Sequence, residues 1–177
     1  RNNEMNRMKP ILALLAVLWL APQTILHAAT PRPVRVLVWD EQQPEQKRAY
    51  GDRFLGETIA AHLVAPAGFT VKNASLNSPA QGLDAATLDG TDVVVWWSHQ
   101  KNHLVTDENV ERLVARVREG RLGFLALHSA HWSKPFVRLM QERAKDDARA
   151  QIPAAERATA KFEYSNQSPY GKVPRRD

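Results

Sequence analysis

Cysteine is absent from the 177-residue sequence, which excludes disulfide bonds, thiolate metal sites and a cysteine nucleophile. The chain also lacks a strong excess of charge, because its 24 basic and 19 acidic residues give a net charge of only +5. Part of this surplus lies at the N-terminus, in Arg1, Arg7 and Lys9. A weak and scattered positive charge of this kind argues against a nucleic-acid partner.

Long hydrophobic runs are missing as well. The main apolar run, residues 11–20, is about half as long as the ~20 residues that cross a bilayer as a helix. It follows a short cationic segment at residues 5–9 and precedes the small residues before Thr30. This layout predicts a secretory signal peptide over residues 1–29. We therefore expect an exported protein, in the simplest case periplasmic, with no stable membrane insertion after processing.

The rest of the chain, residues 30–177, has enough hydrophobic residues for one domain with a single core. Strand-like runs alternate with helical patterns, and this alternation predicts an α/β fold with a parallel sheet and right-handed crossovers. The pattern is regular over residues 34–145. Beyond it, residues 161–164 are a candidate strand, and we expect the C-terminal part of the fold to be incomplete. The predicted strands are residues 34–39, 68–73, 92–97 and 122–127, and the predicted helices are residues 51–64, 83–88, 106–120 and 136–145.

Polar and reactive side chains follow three of the predicted strands. In an open parallel sheet, ligands bind in the crevice outside the carboxyl ends of the strands. Side chains at these ends therefore predict one shared site. The candidates are Asp40 and Glu41 after the first strand, His99 and His103 after the third, and His128, Ser129, His131, Trp132 and Lys134 after the fourth.

Three short motifs carry a family resemblance: Val-Trp-Asp-Glu at residues 38–41, Trp-Trp-Ser-His at residues 96–99 and Leu-His-Ser-Ala-His-Trp-Ser-Lys at residues 127–134. With these motifs the chain resembles the ThuA-like family, named for trehalose utilisation. The resemblance implies a flavodoxin-like three-layer sandwich, similar to class I glutamine amidotransferases. The chain departs from the family's pattern at Ala130, where glycine is usual, so we expect the turn after Ser129 to have less conformational freedom. His128 and Ser129 stand at the elbow where the amidotransferases have their cysteine, which excludes thiolate chemistry.

The histidine spacing is compatible with a metal site. His99 and His103 are four residues apart and His128 and His131 are three apart, so each pair can share one side of a helical turn. Together with Asp40 or Glu41 they could supply three nitrogens and a carboxylate to a zinc-like ion. Such an ion would polarise a carbonyl group or activate water. The alternative is that these histidines cap helices or bond within their loops.

A metal-free site of the same residues would use acid–base chemistry. Glu41 and a histidine, from among His99, His128 and His131, would act as general acid and base. Lys134 would stabilise negative charge on an enolate oxygen, or else be a surface lysine at a helix start. Substrate would contact Asp40, Ser129 and Trp132, with the indole of Trp132 as a platform for a sugar ring.

The resemblance implies an exported protein of disaccharide catabolism, acting on trehalose or a related sugar. We expect it to cleave or modify a 3-keto-glycoside, as a hydrolase or lyase, by metal-assisted or acid–base chemistry. Two alternatives stay open: a non-catalytic periplasmic carbohydrate-binding protein, and a serine-dependent hydrolase with Ser129 as nucleophile. The expected partner is a small carbohydrate, and the sequence leaves a homo-oligomer open.

Overall fold

The computed structural model describes residues 32–64 and 68–163. The predicted signal peptide lies outside the described residues. Within them, no helix has the length and apolar character needed to cross a membrane. In chain order the regular elements are β1 (Val34–Asp40), α1 (Leu55–Val64), β2 (Phe69–Ala74), α2 (Ala85–Asp89), β3 (Val93–Trp97), α3 (Asp107–Arg118), β4 (Gly123–Ala126) and α4 (Lys134–Ala150).

The four strands form one parallel sheet in the order β2-β1-β3-β4. The register places Val36 opposite Val71 on one side and Val93 on the other, and Val93 opposite Gly123. The chain runs outward from β1 in one direction and from β3 in the other, so the order reverses between these two strands. The predicted flavodoxin-like α/β fold is confirmed, and β1 and β3 flank its topological switch point.

Alternate side chains of the central strands fill two apolar layers, as the two-residue period of a strand requires. Leu37, Trp39 and Trp96 face the layer that includes Leu113 of α3. Val36, Val38 and Val95 face the layer that includes Ala60 of α1. Helices therefore cover the sheet on both faces, and the molecule has the expected three layers.

Two indoles from neighbouring strands form the centre of the larger layer. Trp39 of β1 and Trp96 of β3 are paired in register and stack with their ring centroids 3.8 Å apart. Each indole N–H also has an acceptor: Trp39 donates to the carbonyl of Gln81 at 2.8 Å and Trp96 to Oγ of Ser98 at 3.0 Å. A buried tryptophan with a bonded N–H adds both apolar area and a fixed orientation to the core.

The helix boundaries follow local capping chemistry. Oγ1 of Thr106 accepts from the N–H of Asn109 and caps α3, as predicted, and Gly120 follows that helix with φ +69°. In contrast, α4 extends beyond both predicted ends. Pro135 in its first turn suits the earlier start, and ion pairs spaced three or four residues apart stabilise its polar C-terminal half. The candidate strand at residues 161–164 is wrong for residues 161–163, which form no strand. Residue 164 lies outside the described residues.

Glu142 of α4 is a buried carboxylate at the centre of an ion-pair network that joins α4 to α3. Its carboxylate pairs with Arg138 and Lys145 on its own helix and with Arg118 of α3 at 3.0 Å. Hydrogen bonds from Lys145 and Arg138 lower the pKa of Glu142 from 4.5 to about 2. Because the pKa is depressed in the folded state, this carboxylate stabilises the fold above pH 4.5.

We expect Glu142→Gln to lower the free energy of unfolding at pH 7 by about 2 kcal/mol, because charged hydrogen bonds are lost. The difference between wild type and variant should shrink as the pH falls from 4.5 toward 2, where the wild-type carboxylate also becomes neutral. Urea unfolding at several pH values measures both effects. The control is Glu156→Gln, at an exposed glutamate in a short turn. A difference that stays constant across this pH range would contradict the role given to Glu142.

Candidate functional site

The segments after β1, β3 and β4 meet at one edge of the sheet. Asp40 is in register with Trp97, and Trp96 is in register with Ala126. Two further backbone hydrogen bonds continue the ladder past the strand ends, from Glu41 to Trp97 at 3.3 Å and from Leu127 to Trp96 at 2.9 Å. The candidate residues therefore share the carboxyl edge, and β1 and β3 place it beside the topological switch point.

Glu41 is the most buried of the candidate residues, with 1% of its surface exposed. One carboxylate oxygen accepts from the backbone N–H of Gln100 at 2.9 Å and from the side-chain amide of Gln43. The other accepts from the N–H of Lys101 at 2.8 Å. Burial raises the pKa of Glu41, but these hydrogen bonds outweigh it, and the pKa lies below its usual value. The carboxylate is thus an ionised anchor for the loop after β3.

Asp40 is also buried, but it faces the first turn of α1. Its two oxygens accept from the N–H of Gly56 at 2.6 Å and the N–H of Gln42 at 2.8 Å. A Cβ atom at Gly56 would lie 2.7 Å from the Cβ of Asp40, so this contact requires glycine. Burial raises the pKa of Asp40, and the two backbone hydrogen bonds offset part of that increase. Its contacts are internal, and the expected contact with substrate stays a prediction.

Buried side chains fix the loop after β3, and two histidines of this loop are exposed to solvent. Ser98 is fully buried and donates to the side chain of Asn102. Asn102 in turn donates to the carbonyl of His99 at 3.2 Å and begins the 3-10 turn Asn102–Leu104. His99 and His103 are exposed. Their buried neighbours hold the backbone, which leaves both imidazoles on the surface of this loop.

The 3-10 turn His128–Trp132 follows β4 and carries the other two histidines. His128 has φ +30°, in the left-handed region that residues other than glycine seldom adopt. Such strained positions cluster at functional sites. The Nδ1 atom of His128 lies 3.1 Å from Oγ of Ser129, and the Nδ1 atom of His131 lies 3.2 Å from the carbonyl of His128. Both imidazoles are exposed.

The alanine at position 130 causes no left-handed strain. Ala130 is fully buried, its N–H donates to the carbonyl of Leu127 at 2.8 Å, and its φ is not positive. The expectation of a less free turn after Ser129 stays a prediction, and the positive φ of this elbow is that of His128.

Trp132 and Lys134 lie at the end of this turn and differ in their surroundings. Trp132 is 71% exposed, and its ring centroid is 5.2 Å from that of His131. The ammonium of Lys134 donates to the carbonyl of Val105 at 2.8 Å and to Asp107 at 2.7 Å. These contacts connect the start of α4 to the start of α3. The enolate-stabilising role of Lys134 stays a prediction.

The carboxylates of the expected metal site already accept hydrogen bonds, and their ligation of a metal ion stays a prediction. Both oxygens of Asp40 and both oxygens of Glu41 already accept hydrogen bonds from N–H groups. Across residues 32–64 and 68–163, no group of three or more histidine, aspartate or glutamate side chains is arranged to hold a metal ion. Ligation by His99, His103, His128 and His131 stays a prediction.

Sequence reasoning missed three supporting residues: Gln43, Ser98 and Asn102. Gln43 bonds to Glu41, and the other two fix the loop that carries His99. A weak signal for the second pair was available, because Ser98 and Asn102 are four residues apart and directly follow a buried strand. No comparable signal pointed to Gln43.

The sheet order and the polar segments at its carboxyl edge define an α/β protein of the flavodoxin-like class. The model of the ThuA family, described as "Trehalose utilisation", matches residues 35–172. The chain belongs to this family, and the resemblance drawn from its motifs is confirmed. No protein among the curated ones matches it.

We expect Glu41→Gln to loosen the loop after β3, because the new amide group presents an N–H to the backbone donors of Gln100 and Lys101. Amide hydrogen exchange at these two residues should become about tenfold faster or more, and the free energy of unfolding should fall by about 2 kcal/mol. The matched control is Glu45→Gln, at an exposed glutamate in the following turn. Unchanged exchange at both amides would show that the carboxylate does not anchor the loop.

Proposed function

We propose that this chain acts on trehalose or a related disaccharide, as its 3-keto derivative, through acid–base chemistry of the exposed imidazoles at the carboxyl edge. The family supports a role in trehalose utilisation. The single observation that carries the chemical part is His128, which occupies a strained elbow with His131 in the same turn. Two imidazoles held in one short turn at a sheet edge suit proton transfer to and from a bound sugar.

Imidazole is suited to this task because its ordinary pKa lies near neutral pH. In a 3-keto-glycoside, a neutral imidazole removes the proton from C2, beside the ketone, and an enolate forms. The enolate electrons then form the C1–C2 double bond while the C1–O glycosidic bond breaks. An imidazolium gives its proton to the leaving oxygen. The products are an unsaturated keto sugar and a free sugar, so the step is an elimination.

The two buried carboxylates support this chemistry indirectly. Glu41 fixes the loop that carries His99, and its lowered pKa makes it a weak base. Asp40 fixes the start of α1 beside the same edge. The reacting protons are therefore assigned to His99, His128 and His131, and the general-base role expected for Glu41 is secondary to its role as an anchor.

The test is turnover of 3-keto-trehalose by the purified chain and by His128→Ala and His131→Ala. We expect each substitution to lower kcat by about 10²–10⁴-fold, the usual contribution of a general acid or base, with an unchanged circular dichroism spectrum. The control is His62→Ala, at an exposed histidine of α1. Metal analysis of the wild type and of a His128→Ala, His131→Ala double variant tests the predicted histidine ligation, since bound metal should disappear in the double variant.

Two outcomes would contradict the proposal. Turnover that survives both substitutions would remove these histidines from the chemistry. Binding of the disaccharide without any turnover by the wild-type chain would indicate a non-catalytic carbohydrate-binding protein instead.

A second candidate function is a serine-dependent hydrolase. It is favoured by the 3.1 Å distance between Nδ1 of His128 and Oγ of Ser129, which is within reach for a base and its nucleophile. A fluorophosphonate probe should then label the wild-type chain and leave Ser129→Ala unlabelled. Absence of labelling in the wild type would exclude this candidate.

We also propose that the protein is exported to the periplasm, on the strength of the cationic, apolar and small-residue pattern of residues 1–29. Expression with this segment should give a periplasmic product whose mass lacks it. A product that stays in the cytoplasm at its full mass would contradict export.

A further inference from the structure

A groove separate from the buried carboxylates lies between the first turns of α3 and α4, beside the turn His128–Trp132. Its volume is about 450 Å³, within the range of small-molecule sites. Val110 of α3 and Val137 of α4 contribute apolar surface, and Trp132 lines it from the turn. Charged side chains of both helices complete the lining. A concave surface that combines an aromatic ring, apolar contacts and polar groups is suited to a small amphipathic ligand.

Among the residues that line this groove, Trp132 is the one that indicates a ligand. It is 71% exposed, whereas Trp39 and Trp96 are fully buried. The exposed indole of Trp132 leaves a large aromatic face, with a polar N–H at its edge, open to a ligand at the groove. An indole face also matches the apolar face of a pyranose ring. The His131 ring centroid is 5.2 Å from that of Trp132, which brings this platform next to a histidine of the proposed chemistry.

The charges around the groove select a neutral ligand. Lys134 pairs with Asp107 at 2.7 Å, and Arg138 pairs with Glu111 at 2.7 Å. Each of these cations therefore has a carboxylate partner, and a phosphate or carboxylate ligand would have to displace that partner. The side chain of Asp107 is 89% exposed, so its oxygens can also accept from sugar hydroxyl groups. A neutral polyhydroxylated ring satisfies these groups without breaking either pair.

We infer that this groove is a sugar subsite, in which one uncharged pyranose ring stacks on Trp132 and donates hydroxyl hydrogen bonds to Asp107 and Glu111. The inference rests on the proposed function, because it gives a place to one ring of the disaccharide. It adds a binding surface on α3 and α4 outside the strand-end segments that carry the proposed chemistry.

The experiment measures binding of trehalose to the full chain by isothermal titration calorimetry. Trp132→Ala should weaken binding about tenfold, and Trp132→Phe should keep most of it, because stacking contributes about 1 kcal/mol beyond area burial. Val137→Arg places a long side chain in the groove and should also weaken binding about tenfold. Its matched control is Met140→Arg, one turn further along the same helix and outside the groove, where binding should be unchanged. Glucose 6-phosphate should bind no more tightly than glucose.

The result that would overturn the subsite is trehalose binding that is absent in the wild type or unaffected by both Trp132→Ala and Val137→Arg. Tighter binding of glucose 6-phosphate than of glucose would also overturn the assignment to a neutral ring. Failure of the proposed function would give a different result from failure of the subsite. Trp132→Ala and Val137→Arg would then weaken trehalose binding as expected, while His128→Ala would leave turnover of 3-keto-trehalose unchanged. Val137→Arg keeps the test valid if Trp132→Ala does not fold.

Discussion

The geometry of the carboxyl edge depends on one buried charge, the carboxylate of Glu41. A carboxylate removed from water is stable only where fixed donors replace its hydration. Here those donors are the backbone N–H groups of Gln100 and Lys101, which belong to a different strand end. The conformation of the loop is therefore coupled to the charge state of Glu41, the residue that directly follows β1. His99 directly precedes these two donors in the chain, and its own carbonyl is held by Asn102.

The same two strands carry the centre of the core. The stacked pair of Trp39 and Trp96 joins β1 to β3 directly below the residues that form the edge. These strands also flank the point where the strand order reverses, which is where parallel sheets of this class bind ligands. Packing and site are thus parts of one arrangement: the stacked indoles pack across the two paired strands, and Glu41 fixes the loop that follows them. Helix α3, whose Leu113 belongs to the same apolar layer, covers this contact.

The sequence was sufficient to predict the parallel sheet, because apolar runs of strand length alternate with helical patterns. Each strand was predicted within a single residue at either end. The meeting of three polar segments at one edge was also predictable, since parallel strands all end on the same side. In contrast, hydrogen bonds between side chains and partners distant in sequence could not be predicted. Lys134 bonds to the carbonyl of Val105, 29 residues away, and nothing local indicates it. Asp40 and Glu41 are adjacent, yet one carboxylate anchors α1 and the other anchors the loop after β3.

The left-handed backbone of His128 has a consequence for how this protein tolerates change. Glycine adopts that conformation without the Cβ clash, so replacing the histidine would relieve local strain. The relief of backbone strain would come with the loss of the imidazole to which the proposed chemistry is assigned. If that proposal holds, selection for thermal stability and selection for turnover act on this position in opposite directions. A lineage that has lost catalysis but kept the fold would be expected to lose this histidine early.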